Sequence, residues 1–271
     1  MAELDRVRDF WEDHLNNEIY TDFERGSPEY FEDIEKQRYR HHYHLVELFA
    51  SLEAEATDQK RLLEIGCGIG IDTLSLARLG FGEVVGIDLT EAAVAVASER
   101  ARAEGGNALR FEVANSESLP FPDARFDLVY SFGVIHHTPS IENAVSEIHR
   151  VLAPGGRALV MIYHRHSLVD WIHRAFRLPY ESPRDLEDHC PVVNRYSKAE
   201  ARQLFSAFSG VEIHSDYPFT HGMRAVGLRI PAVVGADALV RVLDADRAAA
   251  AAHFWCAGKV WLWMTSWRSD Q

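Results

Sequence analysis

From Arg61 to His164 the chain repeats one unit: a short apolar run, then a longer stretch of loop or amphipathic pattern. The runs RLLEIG, EVVGID, LRFEVAN, FDLVYSF and RALVMIY are rich in Leu, Val, Ile and Phe and carry few charges. Strands buried on both faces read this way, and parallel neighbours need crossovers of about a dozen residues or more. The intervening IDTLSLARLG and TEAAVAVASERARAEGG each close on glycine, as helices commonly do. Pro139 and IENAVSEIHRVLAPGG read as a turn, an amphipathic helix and another glycine stop. The pattern predicts an α/β domain built on a mostly parallel sheet.

The flanks follow other rules. Residues 1–60 read as a helical extension, with Ser27 then Pro28 as cap and first turn and with Tyr30, Ile34 and Phe49 at helical spacing. Residues 61–271 form the main domain, interrupted by two stretches, about 167–196 and 220–255, that read as insertions over one edge of the sheet. SKAEARQLFSAF restores a helix, with Ser197 and Glu200 spaced as a capping box. Two further strands, VEIHSDYPF and the aromatic KVWLWMTSW, follow; the latter leaves a homo-oligomer open.

Composition excludes several partners. The 41 acidic and 28 basic residues give a net charge of −13, and that field repels nucleic-acid phosphates. No signal-like core or membrane-length apolar run occurs, so no membrane partner is expected. Cys67, Cys190 and Cys256 form no CxxC pair, which fits a reducing, cytoplasmic compartment. His41 and His44 stand at i and i+3, but no matching ligand pair follows at zinc spacing, so no metal is expected.

The glycines of LLEIGCGIGIDT sit where a strand gives way to a helix. Without a Cβ the backbone approaches a ligand closely, and the helix start offers amides. Dinucleotide loops are GxGxxG, whereas Gly66, Gly68 and Gly70 make GxGxG and leave Glu64 in the preceding strand. Asp88 closes the next strand, where a carboxylate accepts ribose hydroxyls.

With VVGIDLT, VANSESLPFPDARFDLVYSFGVIHHTP and VLAPGGRALVMIYHR in order behind it, this loop resembles class I S-adenosylmethionine-dependent methyltransferases of the small-molecule type. The resemblance is close over about residues 60–165. It implies a Rossmann-like methyltransferase fold: a mostly parallel seven-stranded sheet with an antiparallel last strand, N-terminal helices and cap insertions. It implies S-adenosyl-L-methionine as cofactor and S-adenosyl-L-homocysteine as product. By position, Gly66, Cys67, Gly68 and Gly70 pass under the methionine moiety with Glu64 near its amino group. Asp88 holds the ribose and Leu89 lies against adenine. Asn115, Ser116 and Glu117 occupy the segment that meets the adenine amino group, Asn115 standing where the family usually has aspartate. Ser131 and Phe132 lie near the sulfonium.

Methyl transfer from a sulfonium needs alignment more than a nucleophile. A hydroxyl acceptor also needs a base, for which His136, His137 and His164 are the candidates. Tyr20, Tyr30, Tyr39 and Tyr163 are candidate lid or substrate residues; for the N-terminal three the alternative is plain packing on the sheet, and for Tyr163 a purely structural role. The expected activity is methyl transfer to an O, N or C atom of a small molecule, in specialised metabolism. The alternative is an enzyme of this fold that binds the cofactor yet catalyses a non-methylating reaction such as cyclisation.

Overall fold

The computed structural model describes residues 3–15, 21–104, 109–166, 168–180, 189–216 and 259–265. Its strands are β1 (Arg61–Ile65), β2 (Glu83–Asp88), β3 (Leu109–Val113), β4 (Phe126–Phe132), β5 (Leu152–His164), β6 (Arg195–Tyr196), β7 (Gly210–Asp216) and β8 (Lys259–Thr265). The sheet order is β3-β2-β1-β4-β5-β8-β7, with the two-residue β6 parallel to the end of β5. Strands β1 to β5 pair in parallel, and β8 runs antiparallel between β5 and β7. The aromatic last strand therefore has both hydrogen-bonding edges used within the chain.

The helices are α1 (Glu3–Asp13), α2 (Pro28–His41), α3 (His44–Glu53), α4 (Ile71–Ala77), α5 (Glu91–Glu104), α6 (Ile141–Val151), α7 (Leu168–Phe176) and α8 (Lys198–Leu204). None among the described residues is long and apolar enough to cross a membrane. The caps are those written in the sequence: Ser27 Oγ accepts from Tyr30 N ahead of Pro28, and Ser197 with Glu200 completes a capping box before α8.

Alternation along the strands divides the core. Leu63, Ile65, Val85, Ile87, Val129 and Val160 pack on one face with Ile148 of α6 and Ala201 of α8. Leu62, Val84, Leu128, Tyr130, Leu159 and Met161 pack on the other with Leu45, Phe49 and Leu52 of α3. The strand order reverses between β1 and β4, and the crevice at that reversal is where open α/β sheets take ligands.

One expected glycine stop is corrected. Helix α6 ends at Val151, and Leu152 already pairs with Phe126. The next pair is Leu128 with Arg157, so Ala153 to Gly156 bulge out opposite Asp127 alone. Gly155, at φ +77°, turns the bulge rather than ending a helix.

Candidate functional site

The turn from β1 to α4 is held open by its own backbone. Gly66 N and Cys67 N both donate to Ile87 O, at 2.7 and 2.9 Å, and Gly70 N donates to Cys67 O at 2.9 Å. Gly66, Gly68 and Gly70 have φ of +75°, +51° and +79°. Only glycine enters that region without strain. A Cβ on Gly66 would meet Val134 Cγ2 at 2.1 Å, so this glycine also admits the loop after β4. A Cβ on Gly68 would meet nothing within 4 Å, because Gly68 faces a cleft.

That cleft holds about 790 Å³ of non-atom space, the open solvent at its mouth included. Its floor is Ile65, Gly66, Gly68 and Ile87 to Thr90, and its sides include Asn115, Ser116, Val134 and His137. Its remaining wall comes from the N-terminal helix, through Leu4, Val7 and Trp11 of α1 and His14 and Leu15 just after it. Trp11 sets its indole edge to face against His137, with centroids 5.3 Å apart.

Asp88 is the hinge of the floor. Its Oδ2 accepts Gly68 N at 2.9 Å, and its Oδ1 accepts Thr90 N at 3.0 Å and Thr90 Oγ1 at 2.8 Å. Burial raises its pKa, against these hydrogen bonds, which favour the carboxylate. Glu64, behind the loop, accepts Thr73 Oγ1 at 2.5 Å. Burial first, then the charge of Asp72, pushes its carboxyl well above the usual range.

No pattern in the sequence points to the polar cluster under the loop. Arg38 of α2 donates Nε to Asp72 Oδ1 at 3.2 Å and Nη2 to Asp72 Oδ2. Tyr130 donates to Asp72 at 2.9 Å, and Tyr39 bridges Asp72 and Ser75 at 3.3 and 2.7 Å. Burial alone would lower the Arg38 pKa, but the charge of Asp72 holds it above its ordinary value. Arg38 also lies over the ring of Phe132, 4.5 Å from its centroid.

Of the expected cofactor residues, the cleft gathers Gly66, Gly68, Asp88, Leu89, Asn115 and Ser116. Glu64, Cys67, Gly70, Glu117, Ser131 and Phe132 are not among its lining, and each has a visible structural task or packing. Gly70 begins α4 in a left-handed turn, and Cys67 is buried in the loop. Glu117 accepts Thr138 Oγ1 and Ser140 N at 2.6 and 2.7 Å, fixing the entry to α6. Ser131 Oγ donates to Ile65 O across β1 and β4. Phe132 lies among Arg38, His42 and His44. Asn115 Oδ1 accepts Glu117 N at 2.9 Å and so closes its own turn.

The tyrosine lid is corrected. Tyr30 is buried with Ile34 and Ile71, and Tyr39 is fastened to Asp72 and Ser75, so neither is placed to close over the cleft. Tyr20 lies outside the described residues, as does the insertion at 220–255. Tyr163 packs on His136, with ring centroids 4.0 Å apart. The covering wall is α1, whose first-turn charges and short length hid it among other N-terminal helix signals.

The three histidines part company. His136 is fully buried against Tyr163 and does not line the cleft. His164, half-buried at the end of β5, does not line it either. His137 does, and its Nδ1 lies 2.9 Å from Val192 O. A carbonyl only accepts, so Nδ1 carries the proton and Nε2 keeps the lone pair in the neutral ring.

Residues 63–160 match the methyltransferase domain family. Over 111 residues the chain is 37% identical to the uncharacterized methyltransferase YcgJ of Bacillus subtilis, covering 41% of this chain and 44% of YcgJ. The YcgJ crystal structure superposes with a TM-score of 0.59 at 25% identity, over 84% of this chain and all of that one. These matches support a class I S-adenosylmethionine-dependent methyltransferase domain over residues 63–160. A second relative, the 27-O-demethylrifamycin SV methyltransferase of Amycolatopsis mediterranei, is 40% identical over 98 residues, 36% of each chain. The matches thus span less than half the length of these curated relatives. The [4+2]-cyclase SpnF shares the fold, with a TM-score of 0.60 at 18% identity over 97% of this chain and 96% of its own.

The residues present fit the family's cofactor. Gly68 leaves room where a side chain would fill the floor, and Asp88 is oriented by three hydrogen bonds beside that space. Ile87, Leu89 and Ala93 with Val7 of α1 offer apolar walls for a flat base.

Proposed function

We propose that this chain transfers the methyl group of S-adenosylmethionine to a hydroxyl of a small-molecule acceptor. The observation that carries the reading is the cleft itself. Its glycine floor, its oriented Asp88 and His137 with Nδ1 held at Val192 O all meet in one space. S-adenosylmethionine supplies a methyl group already activated on a sulfonium. The chain's residues have three tasks around it. Gly66, Gly68 and Asp88 orient the donor, α1 keeps water from the cleft, and His137 Nε2 takes the acceptor's proton.

In this reading residues 1–60 are the extension that covers the site, and the stretches about 167–196 and 220–255 shape the acceptor side. The net charge of −13 supports a small acceptor over nucleic acid. The 27-O-demethylrifamycin SV methyltransferase among the relatives supports a specialised-metabolism role. The buried thiols of Cys67 and Cys190, joined in no disulfide, support a cytoplasmic setting.

Calorimetry with S-adenosylmethionine and S-adenosylhomocysteine tests the reading, and both are expected to bind. Asp88→Ala is expected to weaken either by about 1–3 kcal/mol, through loss of charge-assisted hydrogen bonds and of the Gly68 anchor. An unchanged dissociation constant would remove Asp88 from the site. With an acceptor in hand, stoichiometric release of S-adenosylhomocysteine distinguishes methyl transfer from a cyclisation in which the cofactor is only bound.

A further inference from the structure

Helix α5 starts without the usual side-chain acceptor of its own. Its first amides, Glu91 N and Ala92 N, have no partner within the helix by geometry, and a serine or threonine just before them commonly serves. Here Thr90 turns its hydroxyl to Asp88 Oδ1, at 2.8 Å, and helps orient the floor of the cleft. The amides are met from outside the element. Glu12 of α1 accepts Glu91 N at 3.0 Å through Oε2 and Ala92 N at 2.8 Å through Oε1. A carboxylate at a helix N-terminus gains from the macrodipole as well as from the two bonds.

Glu12 follows Trp11 directly, and Leu4, Val7 and Trp11 form the α1 wall of the cleft. The wall and the floor are therefore clipped together at one point beside Asp88. We propose that Glu12 is a positioning residue that latches α1 over the bound cofactor and sets how fast the cofactor exchanges. The proposal rests on the cofactor reading above and adds a residue to which that reading gave no part.

A latch has a kinetic signature that an ordinary contact lacks. Removing a contact speeds departure and leaves arrival unchanged, so affinity falls in step with the off-rate. Removing a latch on a closed wall speeds both directions, because the wall must lift for entry as well as exit.

The test is stopped-flow binding and chase of S-adenosylhomocysteine, followed by tryptophan fluorescence, on the full chain and on Glu12→Ala and Glu12→Gln. For Glu12→Ala, both rate constants are expected to rise on the order of tenfold, with the dissociation constant moving less than about threefold. Glu12→Gln keeps an acceptor oxygen without the charge and is expected to fall between; it carries the test if the alanine variant fails to fold, which melting curves reveal. Rates within about twofold of the parent in both variants would overturn the latch. So would an off-rate increase matched by equal loss of affinity at constant on-rate. Failure of the parent chain to bind S-adenosylhomocysteine would overturn the cofactor reading, and the latch with it, before any variant is made.

Discussion

Replacing Arg38 by methionine is expected to lower the free energy of unfolding by about 3–5 kcal/mol, the cost of stranding a buried charge. Arg38 and Asp72 are 9% and 3% exposed, so water can replace little of what the guanidinium supplies. Asp72 would keep Tyr130 and Tyr39 as donors but lose its countercharge. Glu64 would lose a positive charge that favours its ionised form, which Asp72 and Asp88 both oppose. At about 2–4 °C per kcal/mol for domains of this size, the melting temperature should fall by about 6–20 °C. The double variant Arg38→Met with Asp72→Asn removes both charges and is expected to recover most of the loss. A single variant within about 1 kcal/mol of the parent in denaturant unfolding would mean that water reaches Asp72.

The same cluster shows what the sequence withheld. The glycine loop was legible because its chemistry is local: positive φ, close backbone approach and a helix start all fall within a few adjacent residues. Asp88 was legible because strand ends at a sheet's ligand edge leave few roles for an acid. Arg38 and Asp72 are 34 positions apart, on helices with no shared pattern, and only packing of α2 against α4 brings them together. Their separate surroundings, KQRYRHH and GIGIDT, read as a solvated helix face and a helix start.

The N-terminal aromatics failed for a related reason. Periodicity places Tyr30 and Ile34 on one helical face but says nothing of which layer that face meets. Packing put Tyr30 beneath the loop and left the cleft's wall to α1, whose Trp11 reaches His137 across more than a hundred positions of chain. The strand order and the antiparallel last strand were legible only through the resemblance; the apolar runs by themselves specify strands and crossovers, not their neighbours. The fold likewise leaves the chemistry open, as the cyclase fold neighbour illustrates.

His137→Asn separates the two things that His137 does. The asparagine amide falls near the position of Nδ1, so its NH₂ group preserves donation to Val192 O while the lone pair at Nε2 disappears. For a hydroxyl acceptor, turnover is expected to fall by about 10²–10⁴-fold, the usual worth of a positioned general base. S-adenosylhomocysteine affinity is expected to persist, because Gly66, Gly68 and Asp88 are untouched. In the parent, the rate should drop as pH falls through the imidazole titration, since the protonated ring has no lone pair to offer. That dependence should vanish from the residual activity of the variant. The corresponding change at His164, which does not line the cleft, is expected to leave turnover nearly intact. Full turnover in His137→Asn with the pH dependence retained would move the proton transfer to another group. Loss of turnover together with loss of S-adenosylhomocysteine binding would make His137 a support of the cleft wall, through Val192 on one side and Trp11 on the other.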